Sequence, residues 1–144
     1  MSSINSIKLV GNLTNEPELR FTSGGQAVVN FRIACNERYQ RNGETHERTE
    51  FVKIVAWNGM AENIAASLRK GTRVVIEGKL QQREAPPADG ETKARYFTEV
   101  VADQVAISLQ WARVEGDIVR STSSELHTKQ AAQEHKDAVA AEVF

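Results

Sequence analysis

A chain of 144 residues with 40 % hydrophobic content has material for one core and room for a tail. A net charge of -1 names no partner, and a single cysteine, Cys35, excludes an intrachain disulfide framework. No apolar run reaches membrane-spanning length and "MSSINS" has no hydrophobic signal core, so the expectation is a cytoplasmic protein in a reducing compartment.

The first element, "INSIKLVGNL" (4–13), is a short apolar-rich strand broken by Gly11 and Asn12. "TSGGQ" (22–26) is turn chemistry, with two glycines available for positive φ. "AVVNFRIAC" (27–35) alternates with a period of two. Ala27, Val29, Phe31, Ile33 and Cys35 read as the core face, which makes Cys35 a buried structural thiol. Val28, Asn30, Arg32 and Ala34 form the other face. Asn42-Gly43 within 36–50 is a strong hairpin signal, so the strands on either side are expected to pair as a long antiparallel ribbon.

The returning arm, "EFVKIVAW" (50–57), has two apolar faces. Val52, Ile54 and Ala56 point one way. Phe51, Lys53, Val55 and Trp57 point the other, where a half-buried strand should be polar. The period then changes. "NGMAENIAASLRKG" (58–71) places Ala61, Ile64, Ala65 and Leu68 at helical spacing. Arg69 and Lys70 are expected in the last turn of that helix, with Gly71 as its C′ residue. "TRVVIEGKLQQRE" (72–84) returns to strand, and "APPADGET" (85–92) is a loop. "KARYFTEVVADQVAISL" (93–109) is a last long strand, expected to bend near Asp103.

Five strands with one short helix between the third and fourth is the order of the OB-fold, an all-β, five-stranded Greek-key barrel. An open meander would give a similar pattern. The domain is expected to span 1–113. Strand patterning stops beyond it, and 114–144 reads as a disordered acidic tail with weak helical character near 128–141. Residues 1–113 carry 15 Lys/Arg against 13 Asp/Glu, and 114–144 carry 3 against 6. A slightly basic body joined to an acidic tail hints at nucleic acid.

Catalytic constellations are missing from the sequence. "RKGT" (69–72) is not a phosphate-binding loop, and there is no Gly-x-Ser-x-Gly and no Cys-x-x-Cys. His46, His127 and His135 do not fall at metal-ligand spacing, so neither metal nor cofactor is expected. What remains is the aromatic and basic pattern of the hairpin: Arg38, Tyr39, Arg41, Arg48, Phe51, Lys53 and Trp57. Phe51 and Trp57 share a face, about 20 Å apart along a strand, with Lys53 between them. Flat rings stack on unpaired bases and cations follow phosphates, which is the chemistry of single-stranded nucleic acid. An oligomer interface would also want an apolar second face, and the pattern alone leaves both readings open.

"LVGNLTNEPELRF" (9–21), "AVVNFRIAC" (27–35), "TEFVKIVAWNGMAENIAASLRKGTRVVIEGKL" (49–80) and "RYFTEVVADQV" (95–105) resemble the bacterial single-stranded DNA-binding protein family, in collinear order over about 4–110. The resemblance implies an OB-fold core, usually a homotetramer, that wraps single-stranded DNA without sequence preference in replication, recombination and repair, with no catalysis. It places family DNA-contact positions on Tyr39, Phe51, Lys53, Trp57 and Arg83, and keeps the basic pair Arg69 and Lys70. Arg41 in the ribbon and Arg95 in the last motif join the candidate DNA-binding set. A further family tryptophan falls near Ala85, where no ring stands. The family's Asp-rich tip, which docks replication and repair proteins, is reduced here to "DAVAAEVF" with Glu142 and Phe144. An accessory or mobile-element copy would fit that tip. The alternative is an OB-fold replication-accessory interaction module with reduced wrapping.

Overall fold

A two-residue turn at Asn42-Gly43 organises the structure, a computed structural model that describes residues 1–121. The two residues take φ values of 52° and 75°, the paired positive angles of a type I′ turn. The elements are β1 (Ile7–Leu13), β2 (Glu18–Phe21), β3 (Ala27–Arg41), β4 (Glu44–Trp57), α1 (Asn58–Ser67), β5 (Arg73–Ala85) and β6 (Arg95–Ile107). The turn joins β3 to β4 in unbroken antiparallel register from Arg41↔Glu44 to Val28↔Trp57, which is the long ribbon expected from the sequence.

The strands follow the order β1-β5-β6-β4-β3-β2, and only the β4–β6 pairing is parallel. β1 also pairs with β3 through Asn12↔Ala34 and Leu13↔Ile33, closing five strands into a barrel. That closure needs Gly11, because a Cβ there would lie 2.6 Å from the Ala34 carbonyl oxygen. The result is the OB-fold expected from the element order, with α1 between the ribbon and β5. The core face of each strand matches its alternation. Phe31, Ile33, Ile54, Ala56, Val74, Ile76 and Val100 are at most 2 % exposed, and Ala61, Ile64 and Leu68 plug the barrel from α1 and its end. Each large apolar side chain buried this way contributes about 1.5–3 kcal/mol.

β6 bends where expected. The β5–β6 register shifts between Glu77↔Gln104 and Gly78↔Ala102, leaving Asp103 as the extra residue of a β-bulge. Cys35 is half-buried against the core, and burial pushes its thiol above the ordinary range while Arg73 opposes that shift.

Three details differ from the expectations. β2 is an additional four-residue strand on the outer edge of β3; its sequence, ELRF, alternates polar and apolar, but the run is short and all its residues are exposed. The helix ends one turn early. Leu68 is already extended at φ -93° and ψ 148°, so Arg69 and Lys70 lie beyond the last turn. Gly71 takes φ +91° in the following turn, not as the helix C′ residue. The cause is local: the Thr72 backbone N–H donates to the Arg69 carbonyl and the Gly71 N–H to that of Leu13, which pulls this segment onto β1. Residues 114–121 form neither helix nor strand, and Ser121 Oγ donates to Asn63 Oδ1 of α1 at 3.0 Å. The helical character expected near 128–141, Glu142 and the terminal Phe144 lie outside the described residues. No helix among the described residues is long and apolar enough to cross a membrane.

Candidate nucleic-acid interface

The second face of β4 turns away from the core. Phe51 is 62 % exposed and Trp57 is 39 % exposed, while Val55 is buried between them. Lys53 is half-buried, and its ladder partner is Arg32. Directly opposite residues point to the same side of a sheet with Cβ atoms about 5 Å apart, so two cations stand side by side beside an exposed ring. Like charges in that position destabilise the pair. An arriving polyanion would relieve the repulsion.

The face continues onto the neighbouring strands. β4 and β6 pair in parallel through Ile54↔Val100 and Val55↔Val101, which brings Glu99 beside Lys53. Glu99 is only 5 % exposed, and its Oε2 lies 3.4 Å from Lys53 Nζ and 4.0 Å from Arg83 Nε. One buried carboxylate therefore anchors two cations from two strands. Arg83 pairs with Phe97 across β5–β6, and its guanidinium lies 5.7 Å from the centre of that ring. Arg95 approaches the same ring to 5.6 Å and donates from Nε to the Pro86 carbonyl at 3.2 Å. Phe97 is 41 % exposed between the two guanidinium groups. Ala85 pairs with Arg95, so Phe97 stands on the same face close to the position where the family ring is missing.

Phe51, Lys53, Trp57, Arg83 and Arg95 thus share one surface. The other sequence-predicted residues lie elsewhere. Tyr39 pairs with His46, and its ring stacks on the imidazole at 5.6 Å. The strict alternation of the ribbon puts Tyr39 and Arg41 on the opposite face from Phe51 and Lys53. Arg38 and Arg48 are held by acids across the ribbon: Arg38 Nε to Glu47 at 2.8 Å, and Arg48 Nη2 to Glu37 at 2.7 Å. Arg69 folds back on the helix end, donating to the carbonyls of Leu68 at 2.9 Å and Ala65 at 3.3 Å. Lys70 is exposed near the start of β5, and its backbone N–H donates to Glu16.

Sequence reasoning missed Arg32, Glu99 and Phe97 as members of this surface. Arg32 could have been found, because the two-residue turn fixes the register that sets it against Lys53. Nothing local marks Glu99 as buried or Phe97 as flanked by arginines, since both depend on how β6 docks against β4 and β5.

The barrel and this surface define a class: an OB-fold whose outer face offers rings and cations instead of a closed pocket. A family model described as the single-strand binding protein family matches residues 4–108. The single-stranded DNA-binding protein of Paenarthrobacter nicotinovorans is 41 % identical over 115 residues, covering 78 % of this chain and 66 % of the relative. That of Mycobacterium leprae is 43 % identical over 115 residues, covering 78 % and 67 %. Among solved structures, the Plasmodium falciparum SSB complex with ssDNA is similar at a TM-score of 0.68 and 28 % identity, covering 75 % of this chain and 97 % of that one. The chain belongs to the single-strand binding protein family. Its match spans about two thirds of the length of these curated relatives.

Proposed function

We propose that this chain binds single-stranded DNA without sequence preference, by base stacking and phosphate contact on the outer face of β4 and β6. The observation that carries the reading is the ladder pair of Arg32 and Lys53 beside the exposed Phe51 ring. Phe51, Trp57 and Phe97 are the stacking platforms. Arg32, Lys53, Arg83 and Arg95 take the phosphates, with Glu99 holding Lys53 and Arg83 in place. Tyr39 and Arg41 face the other side of the ribbon and fall outside this contact, while Lys70 adds a distant cation. A ring platform selects single strands, because a duplex hides its base faces. The protein acts as a non-catalytic homotetramer in the cytoplasm, associated with the nucleoid, in replication, recombination and repair. The relatives support the single-stranded DNA-binding part of that reading through their shared family and their names.

A reading as an interaction module with reduced wrapping would rest on the absent ring at Ala85. Phe97 between Arg83 and Arg95 favours DNA binding instead. The test is fluorescence anisotropy of a labelled mixed-sequence oligonucleotide, offered single-stranded and then annealed to its complement. The single strand is expected to bind at least about tenfold tighter than the duplex, as stacking worth roughly 1–3 kcal/mol per base requires. Equal affinity for the two forms would overturn the reading.

A further inference from the structure

A second ring stands apart from this face. Trp111 lies just past β6 and is 74 % exposed. The Arg73 guanidinium is stacked over it at 4.7 Å from the ring centre. Arg73 is itself positioned by Asn12, whose Oδ1 accepts from Arg73 Nη1 at 3.2 Å while its Nδ2 donates to the Gly71 carbonyl at 3.1 Å. Arg73 Nε is buried and has no hydrogen-bond partner among the described residues. Lys70 and Arg113 border the same open cleft. The acids nearby are Glu115, paired with Arg113 at 3.1 Å, and Glu16, which accepts from the Lys70 backbone. One exposed indole is therefore backed by a guanidinium and bordered by cations.

The ladder connects this cleft to Phe51. Phe51 pairs with Ala34, Ala34 with Asn12, and Asn12 with Arg73. Directly opposite residues share a face, and all four belong to the outward set of their strands. Adjacent strands are about 4.8 Å apart, so the row from Phe51 to Arg73 runs about 14 Å around the barrel. The small Ala34 and the short Asn12 leave that path low, and Trp111 closes it.

We propose that Trp111, backed by Arg73, is a further stacking platform for the same single strand that occupies Phe51, reached along the Ala34–Asn12 row, with Lys70 and Arg113 as its phosphate contacts. The inference rests on the single-strand reading above. It extends the footprint from the β4–β6 face around the barrel to the start of β5. A second copy of the chain would be expected to meet an apolar surface there, whereas this cleft presents the cations Lys70 and Arg113.

The chain has two tryptophans, Trp57 and Trp111, so each can be watched alone. Trp57→Phe keeps a ring on the β4 face and leaves Trp111 as the only indole; Trp111→Phe does the reverse. Both variants are titrated with oligo-dT of increasing length, following tryptophan emission. The proposal expects Trp111 emission to be quenched only by oligomers longer than the shortest that quench Trp57. It also expects Trp111→Ala to weaken binding of the long oligomers by roughly 5- to 150-fold and to leave the shortest unaffected. Quenching of Trp57 with unchanged Trp111 emission overturns this proposal and leaves the ribbon reading intact. No quenching of either indole overturns both. A fall in solution mass on Trp111→Ala, with unchanged DNA affinity per site, shows that the ring is a contact between copies and overturns the proposal.

Discussion

Two stretches of the same ribbon treat their charges in opposite ways. Toward the tip, between Asn36 and Glu50, cations meet acids across the strands: Arg38 meets Glu47 and Arg48 meets Glu37, with Glu50 of its own strand as a second partner; Thr49 Oγ1 donates to Asn36 across the same ladder. Toward the barrel, Arg32 meets Lys53, a cation against a cation. Two acids border them: Glu99, already shared between Lys53 and Arg83, and Glu18, which lines the same cleft and is paired with Arg20. The tip is arranged as a self-sufficient hairpin should be, with opposite charges on opposite strands. The outer face near the barrel keeps positive charge in excess, next to exposed rings. A surface selected for stability alone would not be built that way, which points to a polyanionic partner on the second stretch and not on the first.

The rings carry the largest expected effect. Replacing Phe51→Ala together with Trp57→Ala should weaken single-strand binding by about 2–6 kcal/mol, the sum for two stacked bases, with little loss of fold stability because both rings are exposed. Anisotropy titration and thermal melting would separate the two quantities, and a parallel loss in both would mean that the rings serve the fold. Next in size is Glu99. Glu99→Gln should cost about 1–3 kcal/mol of stability, because a buried charged partner of two cations is lost. It should also raise low-salt affinity for single-stranded DNA, because Lys53 and Arg83 lose their competitor for phosphate. Denaturant unfolding with a binding titration at low salt would show the two changes moving in opposite directions, and weaker binding would show instead that Glu99 is needed to hold the cations in place. The smallest effect belongs to the tip. Arg48→Ala should cost no more than about 1 kcal/mol, as exposed ion pairs do, and should leave DNA affinity unchanged. A clear drop in affinity would erase the distinction between the two stretches.

Much of this was readable before any coordinates, and for a physical reason. The Asn42-Gly43 turn is a local event, and once it forms, period-two alternation assigns every ribbon residue to a face and a partner. The exposure of Phe51, the burial of Ile54 and the pairing of Arg32 with Lys53 all follow from it. The same alternation shows that Tyr39 and Arg41 leave the face of Phe51, a consequence that motif similarity hides. Features made by distant strands were not legible. Glu99 looks like any surface glutamate in "YFTEVV" until β6 docks beside β4. Phe97 gains its role only from Arg83 on another strand. The helix end was misplaced because Arg69 and Lys70 suit a last turn by charge, while the contacts of Leu13 and Thr72 end the helix before them. β2 gave only a four-residue alternation, ELRF, too short to stand out, and its residues stay exposed at the sheet edge.

The contrast between the two stretches can be read in one number, the salt dependence of binding. Association constants for oligo-dT would be measured across a salt series for the chain, for Arg32→Gln with Lys53→Gln, and for Arg38→Gln with Arg48→Gln. Each single-strand phosphate contact adds about 0.7 to the slope of log K against log salt. The outer-face double variant is predicted to lose about 1.4 from the magnitude of that slope, while the tip double variant keeps the original value. Equal slopes for the two variants, or a loss confined to the tip, would contradict the account.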